Sequence, residues 1–284
     1  TDNRRQRQMC IRDRSIIEEL NDLHHKGFKE ITLLGQNVDS YLWYGGGLKK
    51  DFSKASEIQK ASSINFAKLL EMCALTQPKM RIRFSTSNPQ DMSLDVIKVM
   101  AKYDNICNYI HLPVQSGSDK VLKAMNRKHT RDEYINLINN IYNIIPDCSI
   151  SHDMISGFPN ESEQDHKDTL TLMESVKYSF GYMFKYSERP GTPAARKLED
   201  NVDEKTKSRR LSEIVELQQR HSLFRSKQFI GKIVEVLIEK ESKKSSSQWA
   251  GRNQQNSTVV FPKENYNVGD FVNVKINNCT SATL

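Results

Sequence analysis

Four apolar runs in this chain each break into a polar, glycine-bearing turn. Ile31 to Leu34 runs into Gly35-Gln36-Asn37, Ile110 to Leu112 into Gln115-Ser116-Gly117-Ser118, Ile150 to Ile155 into Ser156-Gly157-Phe158-Pro159, and Tyr182 to Tyr186 into Glu188-Arg189-Pro190-Gly191. This repetition predicts parallel strands whose C-terminal ends line one ligand site.

The segments between these runs read as helices. Ile16, Ile17, Leu20 and Leu23 share one helical face, and Gly27 stands where a C-terminal cap is expected. The alternation of Arg81 and Arg83 with Ile82 and Phe84 predicts a strand over 80–85, and Asp91 or Ser93 is placed to cap the helix that follows. Ser118 starts a further helix, and 131–145 carries Tyr134, Leu137, Ile138, Ile141 and Ile145 on one face. With strands over 107–112, 148–155 and 180–186, the pattern predicts a parallel sheet with right-handed crossovers. The segment 36–62, with Gly45-Gly46-Gly47, reads as a long loop, and its glycines lack the Lys-Ser/Thr and helix start of a phosphate-binding turn.

A long polar helix over about 203–229, with Leu211, Ile214, Val215, Leu217 and Leu223 as its apolar stripe, reads as a strut between domains. From Gly231 the pattern becomes short alternating strands, as in a small antiparallel barrel. At 284 residues the chain has room for one large α/β domain and this appendage.

Charge bears on partners. There are 42 Lys+Arg against 35 Asp+Glu, a formal charge of +7. Residues 222–284 hold nine Lys/Arg and five Asp/Glu, so that 9 − 5 gives +4. Lys243, Lys244, Trp249, Arg252 and Tyr266 mix cations with rings, a combination suited to RNA through phosphate contact and base stacking. A solvated loop over an ordinary core is the alternative for these residues. No run of about 18 apolar residues suggests a membrane span, and the charged start of the chain lacks a signal-peptide core, so a cytoplasmic protein is expected. The five cysteines, at 10, 73, 107, 148 and 279, are scattered and odd in number, which fits reduced, buried thiols better than a disulfide framework or metal knuckle.

Five motifs, taken in order, resemble the radical S-adenosylmethionine methylthiotransferases that modify tRNA. They are Leu33-Leu34-Gly35-Gln36-Asn37-Val38-Asp39-Ser40-Tyr41, Arg83-Phe84-Ser85-Thr86-Ser87-Asn88-Pro89, His111-Leu112-Pro113-Val114-Gln115-Ser116-Gly117-Ser118, Asp153-Met154-Ile155-Ser156-Gly157-Phe158-Pro159 and Tyr186-Ser187-Glu188-Arg189-Pro190-Gly191-Thr192-Pro193-Ala194. The resemblance implies a partial TIM-type half-barrel lacking its first strand over 15–221, followed by a TRAM RNA-binding barrel over 222–284. Residues 1–14 do not resemble the family and read as an artefactual segment. The implied activity is addition of a 2-methylthio group to N6-dimethylallyladenosine beside the tRNA anticodon. A ribosomal protein or another tRNA adenosine is the alternative substrate, and a non-enzymatic RNA-binding protein the rival class.

The resemblance also implies cofactors and roles. S-adenosylmethionine would be met by Gly35, Gln36 and Asn37, by Ser87, by Gln115 and Ser116, by Gly157 through close backbone approach, and by Arg189. His111 and Asp153 read as structural. Two 4Fe-4S clusters belong to the full-length family, with tRNA, an electron donor and a sulfur source as partners. The Cys-x-x-x-Cys-x-x-Cys motif of the radical cluster and the second cysteine triplet are not found in this sequence. An amino-terminally truncated, inactive chain with no metal ligands and no catalytic residue of its own is therefore expected.

Overall fold

The computed structural model describes residues 12–85 and 87–284. It divides into two compact units, one ending at Asn108 and the other running from Tyr109 to Leu284. Residues 1–11, with Cys10, and Thr86 lie outside the described residues.

In the first unit, helix α1 (Asp13–His25) leads into strand β1 (Glu30–Leu34). Within the segment that reads as a long loop lie β2 (Leu42–Trp43) and α2 (Glu57–Ala61); after it come β3 (Ile64–Asn65) and α3 (Phe66–Thr76), then β4 (Arg81–Ser85) and α4 (Leu94–Lys102). Much of the supposed loop is ordered. Leu42 and Trp43 pair antiparallel with Asn65 and Ile64, and α2 opens on a reciprocal capping box between Ser56 and Gln59.

Strands β1 and β4 pair in parallel, Glu30 opposite Arg81 and Leu34 opposite Ser85. The alternation in β4 does not divide it into a wet and a dry face: Arg81 and Arg83 are as buried as Ile82 and Phe84. Glu30 on the neighbouring strand compensates them, with a carboxylate oxygen 2.9 Å from Arg83 Nε and the other 3.8 Å from an Arg81 guanidinium nitrogen. Buried charge is tolerated where it is paired. Ser93, not Asp91, caps α4.

The second unit begins with β5 (Tyr109–His111), α5 (Asp119–Ala124), α6 (Arg131–Ile144), β6 (Ser149–Ser156), α7 (Glu163–Val176) and β7 (Phe180–Lys185). The three strands form a parallel sheet in the order β5-β6-β7. Side-chain oxygens of Ser118, Thr130 and Ser162 accept hydrogen bonds from the first-turn amides of α5, α6 and α7, and so fix where each helix starts. One face of the sheet carries Ile110, Ile150, His152 and Met154, all buried. The other carries Tyr109, His111, Ser151, Asp153, Phe180, Tyr182 and Phe184.

After α8 (Pro193–Lys197) comes the long helix α9 (Glu204–Lys227). Within this unit it is packed on the sheet and on α7 rather than standing free as a strut. Ile214 and Leu217 are buried as the apolar stripe predicts, but Lys207, Arg210, Gln218 and His221 are buried with them; Arg210, Gln218 and His221 bond Glu161, His152 and Glu174 beneath the helix, and Lys207 bonds Asp200 in the loop that leads into it. The C-terminal module is a curled antiparallel sheet in the order β10-β9-β8-β11, from β8 (Ile233–Ser242), β9 (Ser245–Arg252), β10 (Thr258–Pro262) and β11 (Phe271–Lys275). Val236, Ile238, Trp249, Val259, Phe261, Val272, Ile276 and Leu284 fill its core.

Candidate cofactor and RNA-binding sites

The turn that ends β1 holds Gly35 and Gln36 exposed and Asn37 half-buried. Asn37 Nδ2 donates to Asp91 Oδ2 at 2.5 Å, and Lys49 Nζ donates to the other Asp91 oxygen at 3.1 Å. Ser87, beyond the end of β4, is buried and donates to Asp39 Oδ1 at 3.2 Å. The structure therefore brings Asn37 and Ser87 near one another in two hydrogen-bonded pairs, Asn37 with Asp91 and Ser87 with Asp39, and the Asp91 charge acts on Asp39. Asp39 is a residue that motif reading passes over; its signal is an acid two positions after Asn37 in the same turn. Burial pushes its carboxyl up to about 7, against the pull of hydrogen bonds from Ser87 and the Asn88 amide. Asn37 Oδ1 and Asp39 Oδ2 are buried with no hydrogen-bond partner, two acceptors that a ligand N–H could satisfy.

Within the second unit the predicted residues have different surroundings. Gln115 is buried, takes a left-handed φ of 76°, and bridges to β6 through its backbone, its main-chain N–H donating to Asp153 O (2.9 Å) and its main-chain carbonyl accepting from Ile155 N (3.0 Å). Ser116 is wholly buried. Its hydroxyl lies 3.3 Å from Thr169 Oγ1 and accepts from the Ser118 amide, so it is engaged inside the fold.

Gly157 departs from its expected role. A Cβ there would lie 2.2 Å from Lys207 Cγ, so the space over its backbone is filled by the Lys207 stem and not left for adenine. Its amide donates to Glu161 Oε2 at 2.7 Å, and Arg210 clamps the same oxygen at 2.9 Å. Lys207 Nζ bonds Asp200 at 2.6 Å and Glu204 at 3.0 Å. These charged residues pin the start of α9 onto the end of β6. Arg189 is exposed in the loop after β7.

His111 and Asp153 belong to a chain of polar contacts. Tyr109 OH and His111 Nδ1 lie 2.7 Å and 2.8 Å from Ser151 Oγ, and His111 Nε2 is 3.4 Å from Asp153 Oδ1.

In the C-terminal module Lys243 and Lys244 are exposed on the β8–β9 turn, Arg252 is exposed on β9, and Tyr266 is 40% exposed. Trp249 is the correction in this set. It points into the core opposite Phe261, only 7% exposed, with Lys263 Nζ 4.3 Å from its ring centroid, so its face is covered by the protein's own groups. The alternation that makes a strand here sends position 249 inward.

The sequence signature of the Radical SAM superfamily matches residues 5–173, and that of the TRAM domain matches residues 227–284. The chain belongs to the radical SAM superfamily. It is 71% identical over 270 residues to the tRNA-2-methylthio-N(6)-dimethylallyladenosine synthase of Christiangramia forsetii, covering 95% of this chain and 56% of that protein. With the protein of the same name from Flavobacterium johnsoniae it shares 66% over 280 residues, covering 99% of this chain and 58% of the relative. The chain thus spans a little over half the length of these curated relatives. Among solved structures it is similar to coproporphyrinogen III oxidase from Escherichia coli, with a TM-score of 0.46 and 19% identity over 74% of this chain and 47% of that one.

Radical SAM proteins hold an iron–sulfur cluster on converging thiolates. Among the described residues no group of three Cys, His, Asp or Glu side chains is arranged to hold a metal ion. Cys73, Cys107 and Cys148 are buried and Cys279 half-buried; burial pushes the Cys73 thiol up to about 12 and Cys148 higher still, which disfavours the thiolates a cluster needs. The described residues do not fit such a cluster. None of the described helices is long and apolar enough to cross a membrane.

Proposed function

We propose that this radical SAM chain is the S-adenosylmethionine- and RNA-handling portion of a cytoplasmic methylthiotransferase that acts on N6-dimethylallyladenosine beside the anticodon of tRNA. The observation that carries this reading is the 71% identity to a relative of that name, which runs through both the strand-and-helix region and the TRAM module. In this reading the N–H donors of S-adenosylmethionine meet Asn37 and Asp39, whose buried oxygens lack partners. Gly35, Gln36 and Ser87 frame that group. Lys243, Lys244, Arg252 and Tyr266 take the phosphates and one unstacked base of the RNA.

Titration of an anticodon stem-loop by fluorescence anisotropy at several salt concentrations tests this. Lys243→Ala with Lys244→Ala should weaken binding and reduce the slope of log affinity against log salt by about one for each phosphate no longer neutralised. Affinity and slope equal to wild type would refute the placement of the RNA surface. A wild-type chain with no affinity for the stem-loop would refute the function.

A further inference from the structure

The face of the β5-β6-β7 sheet that bears the Tyr109–Ser151–His111–Asp153 chain also bears a row of large rings on β7. Phe180, Tyr182 and Phe184 alternate along the strand and are 39%, 49% and 53% exposed. Large rings are usually buried in a folded core, so three in a line on one sheet face need an explanation. Tyr182 is held among its neighbours: it meets His111 edge-on at 5.9 Å and Phe180 edge-on at 4.8 Å.

The register places Asp153 directly beside Tyr182, and Ile155 beside Phe184. The sheet face is therefore divided: a carboxylate and an imidazole on one side, apolar rings on the other. A ligand that fits it has hydrogen-bonding edges and an attached apolar group. A purely apolar partner would desolvate the part-exposed Asp153 carboxylate, which His111 meets from one side at 3.4 Å, without bringing it a donor, which costs free energy. A peptide strand added at β7 would use backbone and would not need the rings.

The same compact unit contains the TRAM module, whose excess of four positive charges over 222–284 complements a polyanion. A base within RNA, carrying an apolar substituent, meets all three requirements.

We propose that Tyr182 and Phe184 are specificity-determining residues that receive the dimethylallyl substituent of the substrate adenosine, with Asp153, held by His111, facing the polar edge of the base. This rests on the function proposed above and adds to it the side chains that distinguish the prenylated base from plain adenosine. Neither ring is among the residues that the five motifs assign to the cofactor. The side chains need no movement to be reached, since both are half exposed. Discrimination by an apolar surface of this kind is modest: a few methylenes are worth roughly tenfold to a hundredfold in affinity.

The test uses the full chain and two synthetic anticodon stem-loops that differ only in carrying adenosine or N6-dimethylallyladenosine. Dissociation constants are measured by anisotropy for wild type, Tyr182→Ser, Phe184→Ser and the double variant, with circular dichroism as the check on folding. Wild type should prefer the prenylated RNA by about tenfold. The double variant should lose that preference while its affinity for the plain RNA stays within about twofold, because the phosphate-binding lysines are untouched. If the double variant does not fold, the single Phe184→Ser variant carries the same expectation at reduced size.

Preference retained in folded variants overturns this proposal and leaves the proposed function standing. Wild type that binds both RNAs equally overturns the proposed substrate and this proposal together. Equal weakening toward both RNAs assigns the rings to general RNA binding and overturns the proposal. So does sedimentation that shows a wild-type dimer dispersed by Tyr182→Ser, which would assign the rings to a second copy of the chain.

Discussion

Gly181 on β7 and His152 on β6 sit opposite one another so closely that a Cβ at 181 would lie 2.2 Å from the imidazole Nε2. The imidazole fills the position that any other residue's side chain would take, held there by Gln218 Oε1 at 2.9 Å and by Tyr178, whose ring centroid is 4.2 Å away. The replacement Gly181→Ala should destabilise the chain by about 1–3 kcal/mol, the usual range for overpacking a closed site. Urea denaturation should show the effect as a lower midpoint with an unchanged slope.

Burial also holds the His152 imidazole neutral, pushing it down to about 4 from an ordinary 6.5. The unfolded chain takes up a proton below 6.5 that the folded chain refuses, so this residue's share of stability is present above that pH and is lost as pH falls toward 4. His152→Gln, neutral and still able to bond Gln218, should flatten the acid side of a Tm-against-pH curve. An acid side as steep as that of wild type would show that other groups govern it.

Asp39 behaves in the opposite sense. Its carboxyl is pushed up to about 7 from 3.8, so the folded chain holds a proton that the unfolded chain has released. Stability from this group is complete below 3.8 and is lost as pH rises through about 7, where a carboxylate must form in a buried place. Asp39→Asn should therefore raise Tm relative to wild type at about pH 8 more than at about pH 5. Under the proposed function the same change should weaken S-adenosylmethionine in equilibrium dialysis.

Arg210 and Glu161 form a buried pair, their side chains 5% and 2% exposed, at 2.9 Å. Removing Arg210 as Arg210→Ala leaves a buried carboxylate whose remaining donor is the Gly157 amide. A destabilisation of about 3–5 kcal/mol is expected, and much of it should return in the double variant Arg210→Met with Glu161→Gln. A double-mutant cycle in urea measures the coupling.

Much of the fold is legible in the sequence where chemistry is local. Ser118 names its helix because a hydroxyl before an apolar period accepts from the third amide onward, and the four strand-ending turns announce themselves by glycine beside polar residues. What is hidden depends on partners distant in the chain. Arg81 and Arg83 look solvent-facing until Glu30, some fifty positions earlier, is laid beside them. Arg210 and Gln218 look like the wet side of α9 until Glu161 and His152 are brought under it. Trp249 beside lysines reads equally as a platform or as core, and only the strand register with Phe261 decides for core. Order within 36–62 leaves no trace in the pattern because β2 has two residues, too few for a period to show.

Gln115 has a backbone φ of 76°, a region where glycine rests without strain and a glutamine pays about 1 kcal/mol or more. Gln115→Gly should therefore make the protein harder to unfold. A position where the sturdier residue is the simpler one sets durability against whatever the amide group handles, and a variant that melts later yet grips S-adenosylmethionine less firmly would expose that trade directly.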